Sequence, residues 1–218
     1  MLYSWEDAKL YLILEFAEMN LYEYYQDFLP LSQNVVKDFI HQILQGLYYL
    51  NTQGIIHRDL KPHNILINST TGKIKLCDFG QSKIVKIYEN SLDSHAATLW
   101  YRAPELLLGS TEISYSSDIW SLGCIFCELV LGDPLLKSNC ELGQIIEIFK
   151  MFGTPNPQNF PSWSYLKGSF PKFKKNEIIE IEGLSKDGND LLKKMYHINP
   201  ELRISAYEAL RHSYFDGY

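Results

Sequence analysis

Apolar positions fall into a few separated runs along this chain, and their spacing changes from run to run. Between Val35 and Leu50 they recur at Val35, Val36, Phe39, Ile40, Ile43, Leu44, Leu47 and Leu50, the repeat of an amphipathic helix. Ser32 supplies an N-cap for it and Gly54 a stop, so a helix is expected to deliver the chain to His57. Leu10-Tyr11-Leu12-Ile13-Leu14 is a short apolar run ahead of Glu15 and predicts a buried strand. Ile65-Leu66-Ile67 and Lys73-Ile74-Lys75-Leu76, separated by Asn68-Ser69-Thr70-Thr71-Gly72, predict a hairpin. From Asp118 to Leu131 the apolar residues Ile119, Trp120, Leu122, Ile125, Phe126, Leu129 and Val130 cover most of a helix, the pattern of one that is buried all round. The rest is helical patterning broken at Gly132-Asp133-Pro134, at Gly153-Thr154-Pro155 and around Pro161 to Pro171. One compact, helix-rich α+β body is expected, without repeats or a flexible linker.

Composition narrows the function classes. The chain has 218 residues, 46% of them hydrophobic and 21% charged, enough to bury a sizeable core in an ordinary soluble globular protein. Its 20 basic and 26 acidic residues give −6, and Lys172, Lys174 and Lys175 are the only local basic concentration. That is no footprint for nucleic acid. Met1-Leu2-Tyr3-Ser4-Trp5-Glu6-Asp7 lacks a basic start followed by an apolar stretch, and no apolar run reaches a membrane span, so an intracellular location, nuclear or cytoplasmic, is expected. Cys77, Cys124, Cys127 and Cys140 fit free thiols in a reducing compartment. Cys124-Ile125-Phe126-Cys127 has C-x-x-C spacing, but it lies inside the apolar helix with no second such pair. Packed, inert thiols are therefore expected there.

Candidate chemistry sits in three blocks. His57-Arg58-Asp59-Leu60-Lys61-Pro62-His63-Asn64 comes first, then Asp78-Phe79-Gly80, then Ala103-Pro104-Glu105. Phosphoryl transfer through a loose transition state requires a carboxylate to orient the attacking hydroxyl, a cation on the phosphate and oxygen ligands for Mg²⁺. Asp59, Lys61, Asn64 and Asp78 are residues of those types, and the hairpin is expected to bring Asp78 beside the loop that bears the others. H-R-D alone is a weak signal, whereas three linked motifs in this order are specific. On these residues the chain resembles a eukaryotic protein kinase domain. At finer grain it is similar to cyclin-dependent kinases and the proline-directed group. The residues that carry this are Thr98 to Glu105, Asp118 to Ile125, Phe152-Gly153-Thr154-Pro155 and Phe160-Pro161. The resemblance runs from Leu10 to Phe215.

That resemblance implies roles and cofactors. ATP and Mg²⁺ would be the cofactors and a protein the substrate. Asp59 would be the base, Lys61 the cation on the transferring phosphate and a marker of Ser/Thr acceptors, and Asn64 and Asp78 the metal ligands. Thr98 would bond Asp59 and Lys61 and fix the loop. Glu15 and Ala17 would present hinge backbone to adenine, with Leu66 as the floor beneath it. Ala96, Ala97 and Arg102 match the segment that favours proline after the acceptor. Arg58 and Lys83 would gather round an activating anion, for which Asp93 stands where the group carries a phosphothreonine; Tyr88, Ser91 and Ser94 are neighbouring candidates. Glu105 with Arg203 resembles a buried ion pair, Asp118 an anchor for the loop backbone, and His57 a packing residue. His63 is expected to be exposed and without a role, and Cys77 to be a buried, inert thiol.

The chain also departs from the family. It contains no G-x-G-x-x-G, and neither the strand lysine nor its helical glutamate partner is recognisable. The expectation is a kinase domain truncated at its N-terminus, with 1–16 the end of the small lobe, 17–20 the hinge and 21–218 the large lobe. A cyclin-like activator is implied by the parent family, although the helix that chiefly binds it would lie in the missing part. Two readings stay open: an active serine/threonine kinase, and a silent kinase lobe that serves as a protein-binding module.

Overall fold

The computed structural model describes residues 2–6, 9–85, 98–110, 114–156, 160, 170–174 and 180–218, with the backbone alone for 2–6 and 9–10. The first elements are an antiparallel pair, β1 (Leu2–Glu6) and β2 (Lys9–Ile13), in register Leu2↔Ile13 to Glu6↔Lys9. β3 (Met19–Asn20) leads directly into α1 (Leu21–Phe28), whose start is fixed by a capping box. Asn20 Oδ1 accepts from the Glu23 amide at 3.0 Å, and Glu23 Oε2 accepts from the Asn20 amide at 2.9 Å. Each side chain satisfies an amide that the helix cannot reach.

The expected long helix is α2 (Gln33–Thr52), capped by Ser32 and followed by Gly54 at φ 73°. Its apolar stripe is buried as the spacing predicts, and it packs on α4 (Ser116–Leu131), which is buried nearly throughout. α4 ends at Gly132 with φ 77°, where an added Cβ would lie 2.9 Å from Leu29 Cδ1. Only glycine meets both demands. Between α2 and α4 run the short strands β4 (Ile55–Ile56), β5 (Ile65–Ile67), β6 (Ile74–Leu76) and β7 (Lys83–Ile84), followed by α3 (Pro104–Leu107). The expected hairpin is the β5–β6 pair, which β3 extends to three strands, while β7 returns to pair with β4. α5 (Glu141–Phe152), α6 (Lys186–Met195) and α7 (Ala206–Ala209) complete the α+β body around one apolar cluster. No helix among the described residues is long and apolar enough to cross a membrane.

One expectation fails. The run at Leu10 does form a strand, but it is not buried: Tyr11, Leu12, Ile13 and Leu14 are all about half exposed or more, and Phe16 is 85% exposed. A run that is apolar on both faces needs a layer on each side. β1 and β2 form only a two-stranded ribbon, and among the described residues nothing covers it.

Candidate active site

The loop between β4 and β5 carries the densest chemistry, and its shape comes from Asp118 at the start of α4. The Asp118 carboxylate accepts from the amides of His57 at 2.8 Å and Arg58 at 2.9 Å. Burial pushes the Asp118 carboxyl above its ordinary range, and the two amide donors oppose that shift. Arg58 sits at φ 68°, left-handed backbone that costs a residue with a Cβ about 1–2 kcal/mol. The two charge-assisted bonds outweigh that cost. Asp118 therefore has the anchoring place that its sequence context implied.

His57 is fully buried. Its ring packs 5.1 Å from that of Phe79, and its Nε2 lies 2.9 Å from the Cys77 carbonyl. A carbonyl only accepts, so Nε2 carries the proton, while Nδ1 accepts from the Asp59 amide at 3.4 Å. Both ring nitrogens are thus committed to structure.

Asp59 is the centre of the cluster. Its Oδ2 accepts from Lys61 Nζ at 2.8 Å and from Asn64 Nδ2 at 3.0 Å, and the same Asn64 amide reaches the Asp59 carbonyl at 2.8 Å. A short 3-10 turn, Pro62–Asn64, brings Asn64 back onto Asp59. Because Asn64 spends its NH₂ on Asp59, its Oδ1 is left as a bare acceptor. The β5–β6 hairpin supplies the neighbour: the Cys77 amide donates to the Asn64 carbonyl at 3.0 Å, and Asp78 follows at φ 60°. Asp78 Oδ1 accepts from the Gly80 amide at 3.2 Å. Asn64 Oδ1 and Asp78 Oδ2 have no hydrogen-bond partner among the described residues. Hard oxygen donors of this kind suit Mg²⁺, so the donor set fits that ion.

Other expected site residues are placed as follows. Thr98 lines a small cleft with Asp59, Tyr101, Arg102 and Asp118 but makes no hydrogen bond to Asp59 or Lys61 among the described residues. Lys61 is bonded to Asp59 instead. Arg102 pairs with Glu141 of α5 at 2.8 Å. Arg58 Nη1 reaches the Gln81 carbonyl at 3.4 Å, and Lys83 lies on β7 opposite Ile56. Glu15 pairs with Lys75, whose strand position faces Leu66; Leu66 and Ala17 are half-buried. Asp93, Ala96 and Ala97 lie outside the described residues.

The remaining expectations are settled by packing. Glu105 and Arg203 form a buried two-pronged pair at 2.8 and 2.9 Å. Cys124 and Cys127 are buried, and burial pushes both thiols up, Cys127 to about 12. Thiols held protonated in this way are poor nucleophiles. Cys77 is only half-buried, a correction to the expectation of a buried thiol, and burial followed by the adjoining Asp78 charge raises its pKa. His63 is exposed but stacks on Tyr22, with ring centroids 4.5 Å apart at 16°.

One participant escaped the sequence reading. Glu128 is a carboxylate inside the apolar α4 helix, fully buried and bonded by the hydroxyls of Tyr25 and Tyr101. A lone carboxylate in such a run must find partners, because an unbonded buried charge is too costly. That was the available signal.

A family model described as protein kinase domain matches residues 2–215. The match takes in the Asp59 cluster, the Asp78 turn and the Glu105–Arg203 pair together, not one motif alone, and on it the chain belongs to the protein kinase domain family.

Proposed function

We propose that this protein kinase is a serine/threonine kinase of the cyclin-dependent-kinase-like, proline-directed group, transferring the γ-phosphate of MgATP to a protein hydroxyl followed by proline. The observation that carries the phosphoryl-transfer part of this reading is the Asp59 carboxylate held at one oxygen by both Lys61 and Asn64, while its proline-directed part rests on the sequence resemblance. Its other oxygen is left for an incoming hydroxyl. As the hydroxyl oxygen bonds to the γ-phosphorus, the bond from that phosphorus to the ADP oxygen breaks, and the hydroxyl proton passes to Asp59. Lys61, whose Nζ lies 2.8 Å from Asp59 Oδ2, would supply the cation for the transferring phosphate, and its presence favours serine or threonine as acceptor. Asn64 Oδ1 and Asp78 are the metal ligands in this reading. Bound Mg²⁺ supplies positive charge against the phosphate oxygens.

Around that centre, the backbone at Glu15 and Ala17 serves adenine and Leu66 lies beneath it. Thr98, which lines the cleft beside Asp59, serves to fix the loop, and Ala96, Ala97 and Arg102 favour the following proline. Asp93 is the anion that would take the place of an activating phosphate for Arg58 and Lys83. Residues 1–16 read as the end of a small lobe, 17–20 as the hinge and 21–218 as the large lobe. A cyclin-like protein is the activator that this group implies.

Thermal unfolding with and without MgATP is the first test. At 100 times Kd a ligand of the folded state stabilises by about 2.7 kcal/mol, which for a chain of this size raises Tm by roughly 5–10 °C. Peptides carrying Ser-Pro, Ser-Ala and Tyr-Pro are then compared as acceptors. A Tm shift with phosphate appearing chiefly on Ser-Pro is expected. An unmoved Tm at millimolar MgATP would replace this reading with that of a protein-binding module.

A further inference from the structure

β6 lies at the edge of its sheet, paired among the described residues with β5 alone, so alternate amides along it point away from any partner strand. Ile74 stands opposite Ile67 in that register, yet its amide donates to a helix side chain, Gln42 Oε1 of α2, at 3.0 Å. The other end of the same side chain is also committed. Gln42 Nε2 donates to the Gly72 carbonyl at 3.0 Å and to Asp38 Oδ2 at 2.8 Å. A backbone amide needs an acceptor, whereas a carbonyl and a carboxylate need donors, so one orientation of the Gln42 amide serves all three partners and the flipped one serves none. Asp38, one turn earlier on α2, holds it that way round.

A second contact lies one helical turn farther along. Gly46 approaches Leu76 so closely that an added Cβ would lie 3.0 Å from Leu76 Cδ1 and 3.3 Å from its Cγ. The two contacts match in spacing. Four residues advance about 6 Å along a helix and two advance about 6.6 Å along a strand, so Gln42 and Gly46 meet Ile74 and Leu76 in step. A strand held at one point is free to slide or pivot; held at two, it has a fixed place along α2. Just beyond Leu76 the Cys77 amide bonds the Asn64 carbonyl at 3.0 Å, and Asp78 follows. α2 also leads, through Gly54 and β4, into the loop that bears Asp59 and Asn64. One helix thus sets the position of both sides of the site.

We propose that Gln42 is a positioning residue for Asp78, and that Gln42 and Gly46 form a two-point dock that fixes β6 on α2 and with it the placing of Asp78 against the Asn64 side-chain oxygen. The part played by Asp78 as a metal ligand rests on the reading given above; the dock does not.

Gln42→Leu and Gly46→Ala, made separately in the whole chain, test the two points by unrelated chemistry. Leucine keeps the bulk of glutamine and removes both polar ends. Alanine pushes Leu76 away from α2, while its better helix propensity offsets the cost within α2 itself. In Gln42→Leu the Ile74 amide is expected to exchange with solvent roughly tenfold faster, the scale of one lost hydrogen bond, while the amides of α7 do not change. In both variants the Mg²⁺ concentration that gives half of the ATP-dependent rise in Tm should increase roughly tenfold, the scale on which supports behind metal ligands act. The Mg²⁺ requirement of phosphate transfer should move with it, and the KM for a Ser-Pro peptide should not. Leu76→Val removes the Cδ1 atom that the new methyl meets, so adding it to Gly46→Ala should bring the Mg²⁺ midpoint back toward that of the parent protein, where a merely destabilising change would add to the first. A parent protein that responds to Mg²⁺ with a midpoint that neither variant moves would overturn this inference alone. Faster exchange spread evenly over the chain, or a peptide KM that rises as much as the Mg²⁺ midpoint, would overturn it too, since either marks a general loosening. A parent protein without any Mg²⁺ response would remove the metal role of Asp78 itself, and the positioning role of Gln42 with it.

Discussion

Replacing Asp59 by Asn is expected to slow phosphate transfer roughly 100- to 10,000-fold, the usual contribution of a positioned acid or base, while MgATP still raises Tm as it does for the parent protein. Asp59 Oδ2 accepts from Lys61 Nζ at 2.8 Å and Asn64 Nδ2 at 3.0 Å. An asparagine has the same shape but offers one oxygen in place of two. If its NH₂ takes the place of Oδ2, donors face donors at both contacts. If it turns the other way, the oxygen that would receive the substrate proton has become an NH₂. Either orientation removes the base, and the second keeps the loop nearly intact. Single-turnover transfer to a Ser-Pro peptide, with Tm measured alongside, checks this. Turnover within threefold of the parent protein would remove Asp59 from the base role. A comparable loss of both turnover and the MgATP-dependent Tm rise would mean that the loop itself had rearranged.

The residues of this centre were legible in the sequence because the geometry that gathers them is local. Asp59, Lys61 and Asn64 are folded together by one 3-10 turn, and Asp78 is delivered by a hairpin whose apolar alternation and Asn68–Gly72 turn are plain. The long helices were legible for a related reason. α2 and α4 are long enough for a period of 3.6 to repeat several times, and their caps, Ser32 and Gly132, are conformational specialists. What stayed hidden is what only tertiary structure decides. β3, β4 and β7 are two residues each, too short for any period, and exist because a partner strand lies beside them. Arg102 was read for its place in a motif, yet its partner Glu141 lies at the start of α5. Thr98 was expected to bond Asp59 and Lys61, but those two groups bond each other. The exposed Leu12, Ile13 and Leu14 show the limit most directly, since an apolar run states what a strand can bury against and not whether a layer is there.

Glu105→Gln is expected to lower stability by about 3–5 kcal/mol, the cost of leaving one member of a buried pair uncompensated. At roughly 2–4 °C per kcal/mol for a chain of this size, Tm falls by about 10 °C. Arg203 is the reason for the size of the effect. Its side chain has no exposed surface, its Nη1 and Nη2 bond the two Glu105 oxygens, Nη1 also donates to the Ser116 carbonyl at 2.7 Å, and Nε donates to the His197 carbonyl at 3.0 Å. The guanidinium lies 5.2 Å from the Trp120 ring centroid. With glutamine at 105 the charge stays buried, and the new NH₂ opposes one of its donors. Arg203→Lys keeps the charge but cannot reproduce the fork, so its Tm should lie between that of Glu105→Gln and that of the parent protein. The effect should also reach the active site before the protein unfolds. Ser116, held by Arg203, opens the helix that carries Asp118, and Asp118 holds the His57 and Arg58 amides. In Glu105→Gln, denaturant is therefore expected to abolish phosphate transfer at a concentration below the circular-dichroism midpoint. Coincident loss of both signals would show that the pair supports global stability alone and does not brace the Asp59 loop.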